Sequence, residues 1–185
     1  QLTNTVQLID SNNQSLIDIN ASIQLIDDFP VDAQIALHQI DLQPFQSILA
    51  KVVNLQGKLT TDLAVNGSLK SPLVNGEITL TNGKLKLEQN ANVIDNLSTT
   101  LSVSDNQATL LGQFFLEGKE ANLSGQLSWQ DSLAITIDLN AKTLPFVFPP
   151  QLMMNISPNL HFSYQQKALD ITGNIDVLEG SYNIE

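Results

Sequence analysis

The chain alternates between apolar and polar residues over most of its length. Residues 17–25, 31–37 and 59–69 each place aliphatic or small side chains at every second position. Successive side chains of a β-strand point to opposite faces of a sheet, so a period of two predicts strands with one buried face. Segments of this kind recur along the chain and predict about twelve strands, which indicates an all-β protein.

The two faces of the predicted strands differ in charge. On the segment around residue 60, for example, Leu59 and Leu63 alternate with Lys58 and Asp62. The positions that we expect to line a common apolar face are Ile19, Ile23, Ile35, Leu59, Leu63, Val65, Ile78, Leu80, Leu101, Leu110, Phe114, Leu123, Leu127, Ile135, Ile137, Ile156, Leu160, Phe162, Ile171 and Ile175. Leu111 and Phe115 break the pattern, which a bulge, a second contact surface or a shifted phase would each explain.

Polar pairs between the apolar segments predict tight turns. The strongest is Asn82-Gly83, because both residues tolerate the positive φ that a tight hairpin needs. The other predicted turns are Asn12-Asn13, Asp27-Asp28 ahead of Pro30, Asp105-Asn106 and Gln165-Gln166.

Two segments depart from the period of two. Between Pro44 and Asn54, apolar residues follow helical spacing, and Pro44 suits a first helical turn. We expect a short amphipathic helix over residues 44–54, with its apolar stripe packed as a plug on the sheet. Residues 144–150 contain three prolines, which lack the donor that a central strand needs, so a packed apolar loop is expected there.

An internal repeat links two distant parts of the chain. Residues 76–87 align without gaps with residues 173–184, with glycines matched at two positions and apolar residues at four. A repeated strand-turn-strand unit favours an elongated architecture over a closed globule, although two hairpins can also match by coincidence.

Composition narrows the possible functions. The chain has 185 residues, with 8 Lys+Arg against 19 Asp+Glu, and the net charge of −11 argues against nucleic acid as a partner. The sequence contains no cysteine, which excludes thiolate metal sites and thiol catalysis. We expect His38 and His161 to be solvated, with no carboxylate placed beside either by spacing. The chain is therefore not expected to be an enzyme or to hold a metal or cofactor.

The run from Gly57 to Leu87 resembles the TamB C-terminal domain family, within the larger AsmA-like group. The resemblance lies in Gly57-x-Leu59, in Leu63-x-Val65-x-Gly67-x-Leu69, and in Pro72-x-x-x-Gly76-x-Ile78-x-Leu80-x-Asn82-Gly83-x-Leu85. Residues 173–184 resemble a second, degenerate copy. The resemblance implies an open half-barrel, or β-taco: one curved sheet of about twelve strands with an apolar concave interior and one short helix. On this basis residues 1–185 form a single domain, a fragment of a longer protein.

The resemblance also implies a location and partners. Proteins of this family lie in the periplasm of Gram-negative bacteria, anchored in the inner membrane, and pair with TamA, an outer-membrane barrel. They are implicated in moving phospholipid between the membranes and in assembling outer-membrane proteins such as autotransporters. We therefore expect phospholipid acyl chains, a TamA-like protein through the full-length chain, and nascent outer-membrane proteins as partners.

The residues alone leave two arrangements and two clients open. Alternation favours a collapsed two-layer sandwich, whereas the resemblance and the scarcity of aromatic residues favour a trough lined by aliphatic side chains. A trough could carry acyl chains, or shield a nascent β-strand that pairs with a free sheet edge, whereas a purely structural spacer would bind neither.

Overall fold

The computed structural model describes residues 2–9, 11, 14–26, 28–49, 51–88, 92–130, 132–148 and 152–182. Within these residues the chain forms twelve strands and one short 3₁₀ helix, Gln43–Ile48. The strands are β1 (Leu2–Ile9), β2 (Ser15–Ile23), β3 (Val31–Asp41), β4 (Val52–Ser68), β5 (Ser71–Leu87), β6 (Val93–Asp105), β7 (Gln107–Leu116), β8 (Lys119–Ser128), β9 (Ala134–Asn140), β10 (Leu144–Phe148), β11 (Leu152–Gln165) and β12 (Ala168–Tyr182).

All twelve strands belong to one antiparallel sheet. Strands β1 to β9 pair in chain order, and β9 then pairs with β11. Strands β9 and β10 occupy successive parts of one edge of β11, while β12 occupies the other edge. In the described sheet β1 and β12 end the strand order without pairing with each other, so the sheet is open. The predicted all-β fold with a single open sheet is confirmed.

The strand register keeps the apolar positions on one face. Directly paired residues of antiparallel strands point their side chains to the same side. Ile19 pairs with Ile35, and Ile35 pairs with Leu63. Towards the other end of the sheet, Ile137 of β9 pairs with Phe162 of β11 in the same way. A single apolar face therefore crosses the whole sheet.

Three strands between β3 and β6 carry a bulge. Gln39 of β3, Asn82 of β5 and Asn96 of β6 have positive φ, and each lies where its strand has one residue more than the neighbouring strand. Gly57 of β4, whose φ is also positive, lies opposite the bulge of β5. A bulge bends its strand and increases the local twist, so bulges on adjacent strands curve the sheet.

The prediction of a hairpin turn at Asn82-Gly83 is wrong, because these residues form the bulge of β5. Strand β5 runs unbroken from Ser71 to Leu87 and pairs with β4 on both sides of the bulge. A bulge and a tight turn both use a positive φ, here 52° at Asn82, so the same residues suit either. The turn at Asp105-Asn106 is confirmed. The turn predicted at Gln165-Gln166 lies one residue later, at Gln166-Lys167, because Gln165 still pairs with Ala168. Asn12, Asn13 and Asp27 lie outside the described residues.

The helix is shorter than predicted and does not plug the sheet. It ends at Ile48, Leu49 is extended with φ −91° and ψ 111°, and Val52 already pairs with Leu87. The β-branched Val52 and Val53 suit the strand better than a helix. The apolar stripe is exposed, with Ile48 at 75%, so the predicted packing is wrong.

Residues 144–148 form strand β10 instead of a loop. The backbone N–H and carbonyl of Val147 form hydrogen bonds with the side chain of Asn92, on the side away from β11. The backbone nitrogen of Pro145, two residues earlier, points to the same side. The donor that Pro145 lacks is therefore not needed by β11, which is how an edge strand tolerates proline. Residues 149 and 150 lie outside the described part of the chain.

Leu111 lies on the polar face of a regular strand. Strand β7 pairs with β8 without a register shift, and Leu111 faces Ser124 with 62% of its surface exposed. A shifted phase and a bulge in β7 are thereby excluded as explanations.

The internal repeat corresponds to equivalent positions in two strands. Gly76 pairs with Leu63 and Gly173 pairs with Leu160, with φ values of 137° and 123°. A Cβ atom at Gly76 would collide with the carbonyl oxygen of Asp62, and one at Gly173 with that of Asn159. Each copy continues as one strand, so the predicted strand-turn-strand form of the repeat is wrong. Residues 183 and 184 of the second copy lie outside the described residues.

We expect Gly76→Ala to lower the free energy of unfolding by about 1–3 kcal/mol, because both the collision and the positive φ disfavour a side chain. Gly180→Ala is the control, since the nearest atom to its Cβ would be 3.9 Å away. The control should change stability by less than about 0.5 kcal/mol. Urea unfolding followed by circular dichroism measures both; equal effects would contradict this account of Gly76.

Candidate apolar trough

The structure places all twenty predicted lining residues on one face of the sheet, which we call the apolar trough. Phe114 is buried and most of the others are half-buried. Ile171 and Ile175, on the edge strand β12, are exposed. Side chains that are only half-covered keep apolar surface available to a guest. Their contact with lipid or with a client strand stays a prediction.

Charged residues are excluded from the interior of the apolar trough. Within the described strands, only Asp105 and Lys119 are in register with this face, and both lie at strand ends beside hairpin turns. Thr61 is buried in the trough, and its hydroxyl donates a hydrogen bond to the carbonyl oxygen of Glu77 at 2.9 Å. The trough therefore offers few polar groups that an apolar guest would leave unpaired.

The sheet curls around a cavity of about 400 Å³ at one end of the apolar trough. Leu85 of β5 and Ile94 of β6 line it from one side, and Ile175 and Val177 of β12 line it from the other. Because β5 and β12 are far apart in the strand order, they can share a cavity only if the sheet is concave. At this end of the sheet, a single curled sheet around a cavity supports the trough over the collapsed sandwich that alternation alone favoured.

A cluster of buried residues forms part of the wall of this cavity. Phe114, Leu116, Ala121 and Leu144 are buried together, with Ala121 fully inaccessible. Half-buried residues such as Leu139 and Ile156 pack against them. This cluster joins β7, β8 and β10, so it holds the wall of the trough in a defined shape.

Sequence reasoning missed several cavity residues. Asn92 and Phe146 line the cavity, although the first follows no apolar pattern and the second lies in a proline-rich stretch that predicted a loop. Ile94 lies just before the bulge at Asn96, where the apolar phase changes. The change of phase is the one signal that could have identified Ile94.

The outer face of the sheet carries the charged and polar side chains. His38 contacts Asp18 at 3.0 Å, and His161 contacts Asp138 at 2.7 Å. Spacing along the chain places no carboxylate beside either histidine, and strand pairing supplies these partners instead. Hydrogen bonds from Ser15 and His38 hold the pKa of Asp18 below its ordinary value of 3.8.

Neither histidine pair belongs to a larger cluster. No group of three or more His, Cys, Asp or Glu side chains that could hold a metal ion occurs in the described part of the chain.

No helix in residues covered by the structure has the length and apolar character needed to cross a membrane.

The fold and the trough define a class: an open antiparallel sheet that presents a continuous apolar concave face. Two family models match the chain, the TamB N-terminal domain over residues 2–80 and the TamB C-terminal domain over residues 107–185. The chain belongs to the TamB family. The motif at Gly57 to Leu87 lies mainly within the N-terminal match, whereas residues 173–184 lie within the C-terminal match.

A curated relative supports the same assignment. The chain is 26% identical over 145 residues to the translocation and assembly module subunit TamB of Haemophilus influenzae. The aligned region covers 77% of this chain but only 11% of the length of that relative. No solved structure matches the chain.

The lowered pKa of Asp18 predicts a contribution to stability that depends on pH. Because the folded pKa lies below 3.8, the contribution is complete above that value and is lost as the pH falls through the folded pKa. We expect NMR titration of the Asp18 carboxyl to give a pKa under 3.8, and Ser15→Ala to raise it. Ser22→Ala, on the same strand, is the control and should leave it unchanged. An unaltered pKa in Ser15→Ala would refute the assigned cause.

Proposed function

We propose that the chain is a segment of a longer TamB-like bridge in the periplasm of a Gram-negative bacterium, which takes part in outer-membrane assembly. In this proposal the apolar trough carries phospholipid acyl chains between the inner and the outer membrane. The observation that carries the proposal is the unbroken apolar face across twelve strands, with charges only at strand ends.

The chemistry of the trough suits an acyl chain better than a polar guest. A charged head group would lose its hydration inside the trough and would find few polar partners there, which is strongly unfavourable. An acyl chain has no polar atoms to leave unpaired, and each square ångström of apolar surface removed from water contributes roughly 25 cal/mol. The head group can stay in water at the open side of the sheet, between β1 and β12.

The arrangement suits passage along the trough as well as binding. The lining side chains are mainly half-buried aliphatic residues spread over β2 to β9, β11 and β12. Contacts of similar strength at successive positions give a guest no single deep minimum, so it can move from one strand to the next. This proposed role needs neither a catalytic residue nor a cofactor.

A second candidate function is supported by the edge strand β12. Its 15 residues are exposed throughout, and one of its backbone edges has no strand beside it in the described sheet. A free edge of this length can accept another strand by backbone hydrogen bonding. In this alternative the protein holds a nascent outer-membrane strand, with a TamA-like barrel as partner and an inner-membrane anchor in the longer protein.

Site-specific photo-crosslinking distinguishes the two functions. A benzophenone amino acid at Ile137 lies in the trough, whereas the same group at the neighbouring Thr136 lies on the outer face. With the chain produced in a bacterial periplasm, we expect phospholipid adducts at position 137 and few at position 136, detected by mass spectrometry. Polypeptide adducts at position 137 would favour the strand-binding function. The absence of any adduct specific to position 137 would contradict the acyl-chain function.

A charge in the trough should displace lipid. We expect Leu63→Arg and Ile135→Asp to reduce the phospholipid that co-purifies with the chain by about tenfold, because a buried charge disfavours an apolar guest. Asp62→Arg and Thr136→Asp are the controls, since they place the same groups one residue away on the outer face. Native mass spectrometry gives the lipid content, and circular dichroism verifies folding. Equal lipid content in folded trough and control variants would refute acyl-chain binding.

A further inference from the structure

The side-chain amide of Asn92 forms the same pair of hydrogen bonds that a backbone residue of a neighbouring β-strand would form. Its side-chain Nδ2 donates to the carbonyl oxygen of Val147 at 3.1 Å, and the backbone N–H of Val147 donates to Asn92 Oδ1 at 3.0 Å. An amide side chain carries one donor group and one acceptor, like a peptide unit, so it can satisfy both groups of a strand residue. The two residues are 55 positions apart, and Asn92 is only 7% exposed.

The contact lies at a gap in the sheet. Strand β8 pairs with β9, and β10 continues the line of β9 beyond the hairpin that joins β7 to β8. Val147 therefore points its backbone groups to a side where no described strand pairs with β10. Asn92, directly before β6, reaches past the hairpin to this edge.

The same contact positions a wall of the cavity. Leu144 and Phe146 of β10 line the cavity together with Asn92 itself, and Leu144 is buried in the cluster around Phe114. If β10 left its place, the wall between β6 and β11 would open beyond the β7–β8 hairpin.

We propose that Asn92 is a clamp that takes the place of a strand partner at the edge of β10 away from β11 and holds the cavity wall together between β6 and β10. Leucine has a similar size but neither donor nor acceptor, and aspartate has the same shape but no donor when ionised. The clamp concerns the wall of the cavity and holds whichever guest the trough carries.

Amide exchange at Val147 tests the clamp directly. In Asn92→Leu we expect the protection factor of the Val147 amide to fall by about tenfold or more, because its acceptor is lost. Amides of β4 and β5, far from the clamp, should keep their protection. Asn122→Leu, an exposed asparagine on β8, is the control and should leave Val147 unaffected. Unchanged protection at Val147 in Asn92→Leu would overturn the proposal.

Asn92→Asp supplies a second test that does not depend on how well the leucine variant folds. An ionised carboxylate still accepts from the Val147 N–H, but it cannot donate to the Val147 carbonyl and repels that oxygen, whereas a protonated carboxyl both donates and accepts. Protection at Val147 should therefore be lower than in the unmodified chain at neutral pH, and it should increase as the pH falls through the pKa of the introduced carboxyl. A folded variant with no recovery in acid would contradict the clamp.

Binding of an apolar fluorophore tests the role of the clamp in shaping the cavity. N-phenyl-1-naphthylamine is a neutral apolar fluorophore, and we expect it to bind Asn92→Leu several-fold more weakly than the unmodified chain or Asn122→Leu. Equal binding by all three would overturn the part of the proposal that concerns the cavity wall. This outcome is distinguishable from failure of the lipid function, because the fluorophore would still bind the unmodified chain.

Discussion

The structure depends on keeping apolar side chains on one face of a sheet that bends. A bulge adds one residue to a strand, so every later side chain would move to the opposite face if the sequence did not follow. The sequence does follow: in β5 the apolar face is at even positions up to Leu80 and at odd positions from Gly83. The same change of phase occurs in β12 between Val177 and Gly180. Curvature and a continuous apolar face are therefore encoded together.

The outer face completes this division. The charged residues within the strands lie on the outer face except at strand ends, and the histidines meet carboxylates there, as in the pair of His161 and Asp138. A net charge of −11 on the exterior keeps such a sheet hydrated while its concave side stays apolar. The packed cluster around Phe114 then fixes the shape of one end of the trough. At the same end, Asn92 connects the start of β6 to Val147 of β10, where no described strand pairs with β10.

The sequence was sufficient to predict most of the strands, though not β10, and the face on which each predicted lining residue lies, because a period of two is a local property. It did not distinguish a bulge from a turn at Asn82-Gly83, since a positive φ suits both. It did not show that Pro145 occupies an edge strand, or that Asp18 lies beside His38, because both depend on which strands become neighbours. Asn92 carried no signal in the sequence, as its role depends on a contact with a residue 55 positions away.

The central claim is that the concave face, and not the outer face, is wetted by acyl chains. The most direct measurement is of nuclear Overhauser effects between a protonated phospholipid and methyl groups of the otherwise deuterated chain. The account predicts effects at Leu123 and Ile137 in the trough and none at Leu111, an aliphatic residue that is 62% exposed on the outer face. Effects of equal strength at Leu111, or none at Leu123 and Ile137, would contradict it.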